Sequence, residues 1–485
     1  MKIYPPSLLH QPASYIIYKE GGVVYALNSR TGQIDFSGTD ASTVIQSAVN
    51  AIPDGGKVFV KAGRYALTKK ITIPYDRIVI EGEGYSTIFE DNIPDDHCFA
   101  VRKPDGAVIR EVFLRNFRID CKVDKTTGDE INLFNLFIGR VINVFVEANA
   151  KAINGLYMTN CNQVLIYGLS VYNVKNNAIV CAGDSNDIYI NELIIDNPGN
   201  PRQQTGVEIL KSNGSLYICD SDIINCKYGI DFACDGDILW TWVDNTAVDN
   251  CVKGIRFPSP KTPGRYVAGC YIVNSWASSC EEYNVSIESG AILSDVKFIN
   301  LRSYNAGCSG IYIGNATVSG LIEFINCTIA SNSRQSANTH HGVFLDANAS
   351  KVRFKSCIIR NDPKLGTGTQ GYGIFANGNN TDIYIEDCDL RDNGIGAINS
   401  LGNITGRVSN NLGFVTRNRG TAIMLAGSTS VTVAHGLNGT PTKVLVTPRG
   451  NLGAVWVSSR DSTNITISCS TTPTVDTEID WEAEL

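Results

Sequence analysis

Between Thr205 and Lys261 one short phrase occurs three times: Gly-apolar-x-apolar, at Gly206-Val207-Glu208-Ile209, Gly229-Ile230-Asp231-Phe232 and Gly254-Ile255-Arg256-Phe257. A second alternating phrase ending in Asn separates the copies, first Ile223-Ile224-Asn225 and then Ala247-Val248-Asp249-Asn250. The copies start 23 and 25 residues apart. A period of that length with turn residues at fixed places marks a solenoid, and period-2 alternation makes its rungs strands. Such a chain buries each rung against the next, so most of its 485 residues can share one continuous core.

Composition agrees with a folded, strand-rich chain. Hydrophobic residues make up 43% and charged residues 18%, a globular balance. The 45 Gly and 20 Tyr, set against 3 Met, favour turns and strands over helices. A formal net charge of -7 argues against nucleic acid as the main partner, because neutralising phosphates needs clustered Lys and Arg. No apolar run reaches the ~18 to 20 residues of a membrane span. The opening MKIYPPSLLHQPASYIIY shows no basic segment followed by an apolar stretch, so no classical signal peptide is expected. The 15 cysteines are an odd number, which leaves at least one unpaired within the chain. Cys226 and Cys251 directly follow the turn Asn, while Cys327, Cys357 and Cys388 share an earlier rung position. That placement predicts small core residues in stacks. Rungs about 4.8 Å apart leave room for occasional disulfides.

Residues 1–39 alternate weakly and read as a β-structured lead-in. In DASTVIQSAVNAI, from Asp40 to Ile52, the residues Val44, Ile45, Ala48, Val49 and Ile52 share one helical face behind an Asp/Ser cap. A lone amphipathic helix just before a solenoid serves best as a plug for its open end. Then come GGKVFVKAGRYALTKKITIP and DRIVIEGEG, covering Gly55 to Gly84. The helix, Gly-Gly-x-Val-x-Val-x-Ala-Gly-x-Tyr, a strand and Ile-x-Gly-x-Gly together resemble the start of the pectate-lyase-like right-handed parallel β-helix superfamily. Its members include pectate lyases, polygalacturonases, epimerases and viral tailspike depolymerases.

The resemblance spans roughly residues 40–412 and implies an all-β fold: a single-stranded right-handed parallel β-helix with an N-terminal capping helix. It speaks to fold more than to chemistry. From residue 413 to 485 the rhythm changes to five short alternating strands between Gly, Pro and Asn turns, a small C-terminal antiparallel β-domain. This tail resembles C-terminal domains of viral tail fibres and spikes, which trimerise or bind ligand. The likeness implies a homotrimer and an extracellular or virion-associated protein.

Later rungs can be anchored on Asn173, Asn197, Asn225, Asn250, Asn274, Asn305, Asn332, Asn361 and Asn393, because Asn tolerates the left-handed backbone of a tight corner and its amide can bond the same group one rung away. Three residues separate Asn225 from Gly229 and Asn250 from Gly254, whereas the segments 198–205, 275–283, 333–341 and 362–372 are longer. Long loops beside short ones on one edge make the walls of a groove.

In Gly-apolar-x-apolar the apolar residues point inward and x points out. Read along the rungs, x is Val180, Glu208, Asp231, Arg256, Ser286, Tyr312, Phe344 and Phe375. Neighbours in such a column stand about 5 Å apart. Glu208 and Asp231 are therefore like charges in contact with a cation next in line, an arrangement that a divalent metal or a catalytic task would explain. A purely structural reading makes the three residues a cross-strand ion ladder. Against it, the column continues into Tyr312, Phe344 and Phe375, and aromatics in an exposed line invite a cover. Sugar rings stack on such faces, and a partner subunit would cover them equally well.

Arg256-Phe257-Pro258-Ser259-Pro260-Lys261 resembles the Arg-x-Pro-x-x-Arg motif of pectate lyases, with Lys in place of the second Arg. The resemblance implies Ca2+-dependent β-elimination of an acidic polysaccharide. Arg256 is then the base, Lys261 (with Lys253 nearby) holds substrate, and Glu208 and Asp231 are Ca2+ ligands, with Asp235 or Asp237 as further ones. The family's Trp-x-Asp-His signature is missing, since Trp240-Thr-Trp242-Val-Asp244 lacks the His. A glycoside hydrolase is the competing enzyme reading. Glu208 with Asp231 would match a carboxyl pair about 5 Å apart, while Glu288 and Asp346 offer wider pairings. His340-His341, at a loop end, is a weaker base or metal-ligand candidate. A trimeric fibre that binds glycans without cutting them is the non-enzyme alternative.

Overall fold

The computed structural model describes residues 13–199 and 202–485. Residues 1–12 of the lead-in, and positions 200 and 201 in the segment 198–205, lie outside the described residues. From Gly56 to Ser409 the chain coils into rungs of up to three strands each. One strand per rung stacks into a 13-stranded parallel sheet, called here the site sheet. The other two lie in a large sheet that bends along its length into a first and a second wall. A typical rung runs Thr205–Ile209 in the site sheet, Gly214–Cys219 in the first wall and Asp222–Ile224 in the second, before Tyr228–Asp231 opens the next.

Residues in the left-handed conformation form columns at both ends of the second wall, rather than the single column the Asn spacing predicts, and a further one runs through the first wall from Gln163 and Asp187 to Ser215 and Trp240. Asp220, Asn245, Asn274 and Asn300 turn the first wall into the second, with φ of 51°, 47°, 51° and 54°. Asn225, Asn250, Ser279, Asn305 and Ser331 turn the second wall toward the site sheet. Amide ladders run up both: Asn250 Nδ2 donates to Asn225 Oδ1 at 2.6 Å, and Asn300 Nδ2 to Asn274 Oδ1 at 2.9 Å. Asn274 thus belongs to the other corner, and Ser279 takes its place in the column where Asn was expected. As a result 275–283 is no loop: it holds the second-wall strand Trp276–Ser278. Asn197 and Asn332 work by a different route, accepting from Val174 N at 3.1 Å and Ala306 N at 3.0 Å in the core.

The glycine of the repeated phrase is a packing requirement. A Cβ on Gly229 would sit 2.2 Å from Val248 Cγ1 and 2.9 Å from Gly254 O, and one on Gly254 would sit 2.5 Å from Asn284 O. Only a residue without a side chain lets the second wall close under the site strand. Inside, like stacks on like. Phe232 lies 4.3 Å from Phe257, and Phe298, Phe324 and Phe354 follow at 4.5 and 4.9 Å, ring over ring. All 15 cysteines are free thiols, and Cys226, Cys251 and Cys280 are buried at equivalent corners, so the stacking expectation stands without disulfides.

The helix Ala41–Asn50 plugs the first rung. Asp40 caps it by accepting from Ser42 N at 3.2 Å, and Val44, Ile45, Ala48 and Val49 are buried beneath it, with Ile52 partly so. Gln46 uses both ends of its amide on Thr72, donating to O at 2.9 Å and accepting from N at 2.7 Å. That bond pair occupies the otherwise bare edge of the first site-sheet strand, Ile71–Ile73. Beyond the coil the tail forms six strands rather than five, in two three-stranded antiparallel sheets around Met424, Ile465, Ile467, Ile479 and Trp481. No helix among the described residues is long and apolar enough to cross a membrane.

Because the Gly229 Cβ has nowhere to go, Gly229→Ala is expected to cost about 1–3 kcal/mol in denaturant unfolding. An unchanged midpoint would contradict the close-approach explanation.

Candidate functional site

The register of the site sheet aligns the whole x column. Val180 pairs with Glu208, Glu208 with Asp231, Asp231 with Arg256, Arg256 with Ser286, Ser286 with Tyr312, Tyr312 with Phe344, and Phe344 with Phe375. The column is not evenly open. Val180 and Ser286 are buried, and the Asp231 side chain is only 5% exposed. Part of the cover is the loop after Phe257, which folds back so that Lys261 N donates to Ala233 O at 3.2 Å.

Seven charged groups meet over these rungs. Glu208 accepts from Lys261 Nζ at 2.5 Å through Oε1 and from Asn177 Nδ2 at 3.1 Å through Oε2. Arg256 makes a two-pronged bond to Glu288, Nε to Oε1 at 2.9 Å and a terminal nitrogen to Oε2 at 2.8 Å. Its other terminal nitrogen reaches Asp231 Oδ2 at 3.3 Å, and its guanidinium lies 4.2 Å over the Tyr228 ring. Lys253 Nζ shares Glu288 Oε1 at 2.7 Å and approaches Glu282 at 3.5 Å. Glu288 therefore binds both Arg256 and Lys253, although it lies just past the end of the strand Tyr283–Ile287, two residues beyond Ser286 of the column.

These surroundings set unequal protonation. Burial drives the Asp231 carboxyl up to about 6 from the ordinary 3.8; the Arg256 charge opposes the rise and the Glu208 charge adds to it. Burial would raise Glu288 as well, but the bonds and charges of Arg256 and Lys253 outweigh it and hold that carboxyl below its usual range. Arg256 is lowered by burial yet raised overall by its bond to Glu288 and by the Asp231 charge, so it is a fixed cation. The base role expected of Arg256 needs a guanidinium that can give up a proton, and these bonds favour its charged form.

The residues expected to hold Ca2+ do not form a donor set. Glu208 faces Lys261 and Asp231 faces Arg256. Asp235 accepts from Thr262 Oγ1 at 2.6 Å, and Asp237 Oδ2 lies 3.5 Å from Arg265, leaving Oδ1 of Asp237 as a lone unpartnered oxygen. Where a dication would be needed, the chain supplies its own lysine and arginine.

Further along the column the aromatic strip is half-buried rather than exposed. Tyr283, Tyr312, Phe344 and Phe375 follow one another at 5.0, 5.9 and 5.6 Å between ring centroids. His341 stacks on Phe375 at 4.3 Å. Burial first, and the nearby His340, lower its pKa to about 4, and the neutral ring packs into the aromatic strip. Asp346 accepts from Tyr312 Oη at 2.8 Å and from Asn377 Nδ2 at 3.0 Å, away from the acidic cluster.

A second surface was not anticipated. Along the corner between the two walls runs a groove of about 1100 Å³, lined by Glu192, Asp220, Asp222, Asn245, Asn274, Arg302, Tyr85 and Trp276 among others. Tyr85 and Trp276 are 48% and 45% exposed. On the adjoining first wall Tyr189, Tyr217, Trp242 and Tyr271 stack outward at 4.9, 4.8 and 5.9 Å. Its signal was present in Ile188-Tyr189-Ile190, Leu216-Tyr217-Ile218 and Cys270-Tyr271-Ile272, an apolar-aromatic-apolar phrase that recurs after 28 and then 54 residues, one and two rungs on.

No family model matches the chain, and no curated protein matches it in sequence. Solved structures do match. The Dettilon tailspike protein gp208 has a TM-score of 0.53 at 13% identity, over 92% of this chain and 91% of its own. A tailspike protein mutant of E. coli bacteriophage HK620, solved in complex with pentasaccharide, has a TM-score of 0.52 at 9% identity, over 92% and 90%. The A-module of the Azotobacter vinelandii mannuronan C-5 epimerase AlgE4 has a TM-score of 0.48 at 14% identity, over 76% and 96%. At such identities the likeness is one of fold. Stacked parallel rungs, a plugging N-terminal helix and the two tailspike superpositions together give the chain a right-handed parallel β-helix fold.

Proposed function

We propose that this chain is a polysaccharide-degrading β-helix protein that hydrolyses its glycan over Glu208, Asp231 and Arg256. The observation that carries this reading is the Asp231 carboxyl, raised by burial to about 6 beside a second carboxylate one rung away. Two carboxyl groups on neighbouring strands, one of them raised by burial, are what acid and base roles require. A spacing near 5 Å is that of a retaining pair. Asp231, protonated, donates to the glycosidic oxygen as the bond breaks. Glu208 meets the sugar carbon, and its contact with the half-exposed Lys261 is weak enough for substrate to replace. Arg256 and Lys253 hold negative charge near the site, which suits an acidic glycan, and Tyr312, Phe344 and Phe375 offer ring faces to further sugar units. The pentasaccharide bound to one structural neighbour fits a glycan as substrate class. Tailspike neighbours also favour an extracellular or virion-associated protein; the homotrimer implied by the tail's resemblance is tested by mass in solution.

Elimination with Ca2+, the first expectation from the motif, draws less support: its base is locked to Glu288 and its metal ligands are engaged elsewhere. A non-cutting glycan-binding fibre is favoured by one feature, the groove edged by Trp276 and Tyr85. Digests of acidic and neutral polysaccharides separate the three. New reducing ends without the absorbance of an unsaturated product support hydrolysis. Unsaturated product that disappears with EDTA and returns with Ca2+ would establish elimination, and no cleavage of any substrate would leave the fibre.

Asp231→Asn is expected to lower kcat by about 10²–10⁴-fold with glycan binding retained; a rate within a few-fold of the parent would remove Asp231 from the chemistry. Wild-type activity should fall as pH rises through about 6, where the acid loses its proton. Stability follows the same group. A carboxyl whose folded pKa is raised from 3.8 to about 6 stabilises the fold fully below the lower value and loses that contribution as pH climbs through the upper one. Thermal unfolding between pH 4 and 6 should show this slope in the parent and a shallower one in Asp231→Asn; parallel slopes would contradict the shift.

A further inference from the structure

Far from the column, near the N-terminal end of the coil, three ionisable side chains are sealed in the core. Asp91 ends the strand Thr87–Asp91, Lys125 lies in the turn after Ile109–Cys121, and Glu130 is in the strand Asp129–Phe134. All three side chains have 0% exposure. Lys125 Nζ is 2.6 Å from Asp91 Oδ2 and 3.7 Å from Glu130 Oε1, and it donates to Asp96 O at 2.7 Å. Neither Glu130 oxygen has a hydrogen-bond partner. A dry ion pair beside an unpartnered carboxyl is an expensive thing to bury, and apolar residues of like volume would serve stability as well or better. The carboxylates and Cys98 also bring ligand atoms within 4.8 Å of one another, but the Lys125 ammonium already sits on Asp91 where a metal would have to be.

We propose that Lys125 and Asp91 condense into an intramolecular amide cross-link, with Glu130 transferring the protons. Passing one proton from Lys125 Nζ to Asp91 gives the neutral amine and neutral carboxyl and removes two charges from a site without water, against the pull of the Glu130 and Asp91 charges that raise the Lys125 pKa. The amine lone pair attacks Asp91 Cγ and the Nζ–Cγ bond forms. Glu130 gives its proton to the departing Oδ and takes one from the nitrogen; the Cγ–Oδ bond breaks and one water leaves. The sum is an ammonium and a carboxylate giving an amide and water, with no oxidant, reductant or cofactor. Glu130 suits this task because burial, with the Asp91 charge, pushes its carboxyl well above the ordinary range and keeps a proton on it. The bond would span 34 residues and tie one rung covalently to the next at the end where unravelling begins.

The test is the intact mass of the full chain under denaturing conditions, followed by peptide mapping. The expected result is a mass about 18 Da, one water, below that of the sequence, with a fragment containing Asp91 joined to one containing Lys125. Lys125→Arg should restore the full sequence mass, and so should Glu130→Gln in protein that still folds. A wild-type chain of full sequence mass, or a deficit that maps to any other residues, would overturn the cross-link whether or not the variants fold. A link that survives intact in Glu130→Gln would overturn the role given to Glu130.

Discussion

Hydrogen bonding between like positions of successive rungs, with no slip along the strand, governs everything else in this molecule. In the site sheet it runs unbroken from Val180 to Phe375. A slip of one residue would turn every core side chain outward, so the buried apolar positions and the hydrogen bonds enforce one another. The other regularities lock the same register from outside and inside. Glycines admit the second wall beneath the strand, asparagine amides ladder along both corners, and phenylalanines and thiols stack through the interior.

The same rule decides where charges go. A residue type that changes from rung to rung at position x is placed directly beside its predecessor, so glutamate, aspartate and arginine meet without any further design. An ion ladder alone would account for some of this, yet exposed pairs contribute only about 0–1 kcal/mol each and need no burial. Asp231 is different. Its carboxyl is covered, faces Glu208, and shares Arg256 with a stronger partner, Glu288. Covering a carboxyl and tilting its protonation works against stability near neutral pH, and such displaced groups cluster where chemistry is done.

The coil, its helix plug and the column were legible because each rests on local, periodic information: period-2 alternation, glycine spacing, and a capped amphipathic segment. What escaped lies between periods. Asn274 and Asn250 look alike in sequence but turn different corners, and Ser279 fills an Asn position because left-handed φ, not the amide, is the strict demand. Arg256 read as a free base since its lock, Glu288, sits on the next rung and two residues along, where no motif points. The aromatic strip read as exposed because alternation shows only that these side chains point outward, not that His341, three residues before Phe344, stacks over Phe375 on the next rung. Asp91, Lys125 and Glu130 gave no warning at all: isolated charges in sequence suggest surface, and only the packed rungs show three of them shut in one dry space.

Whether the column is a glycan-cleaving site is tested most directly by a crystal structure of the Asp231→Asn protein soaked with oligosaccharides from a panel of acidic and neutral glycans. The account predicts sugar rings lying along the site sheet, with a glycosidic oxygen within hydrogen-bond reach of the side chain at position 231 and a ring face on Tyr312 or Phe344. Sugar found only in the corner groove beside Asp222 and Trp276, with the column bare, would contradict it.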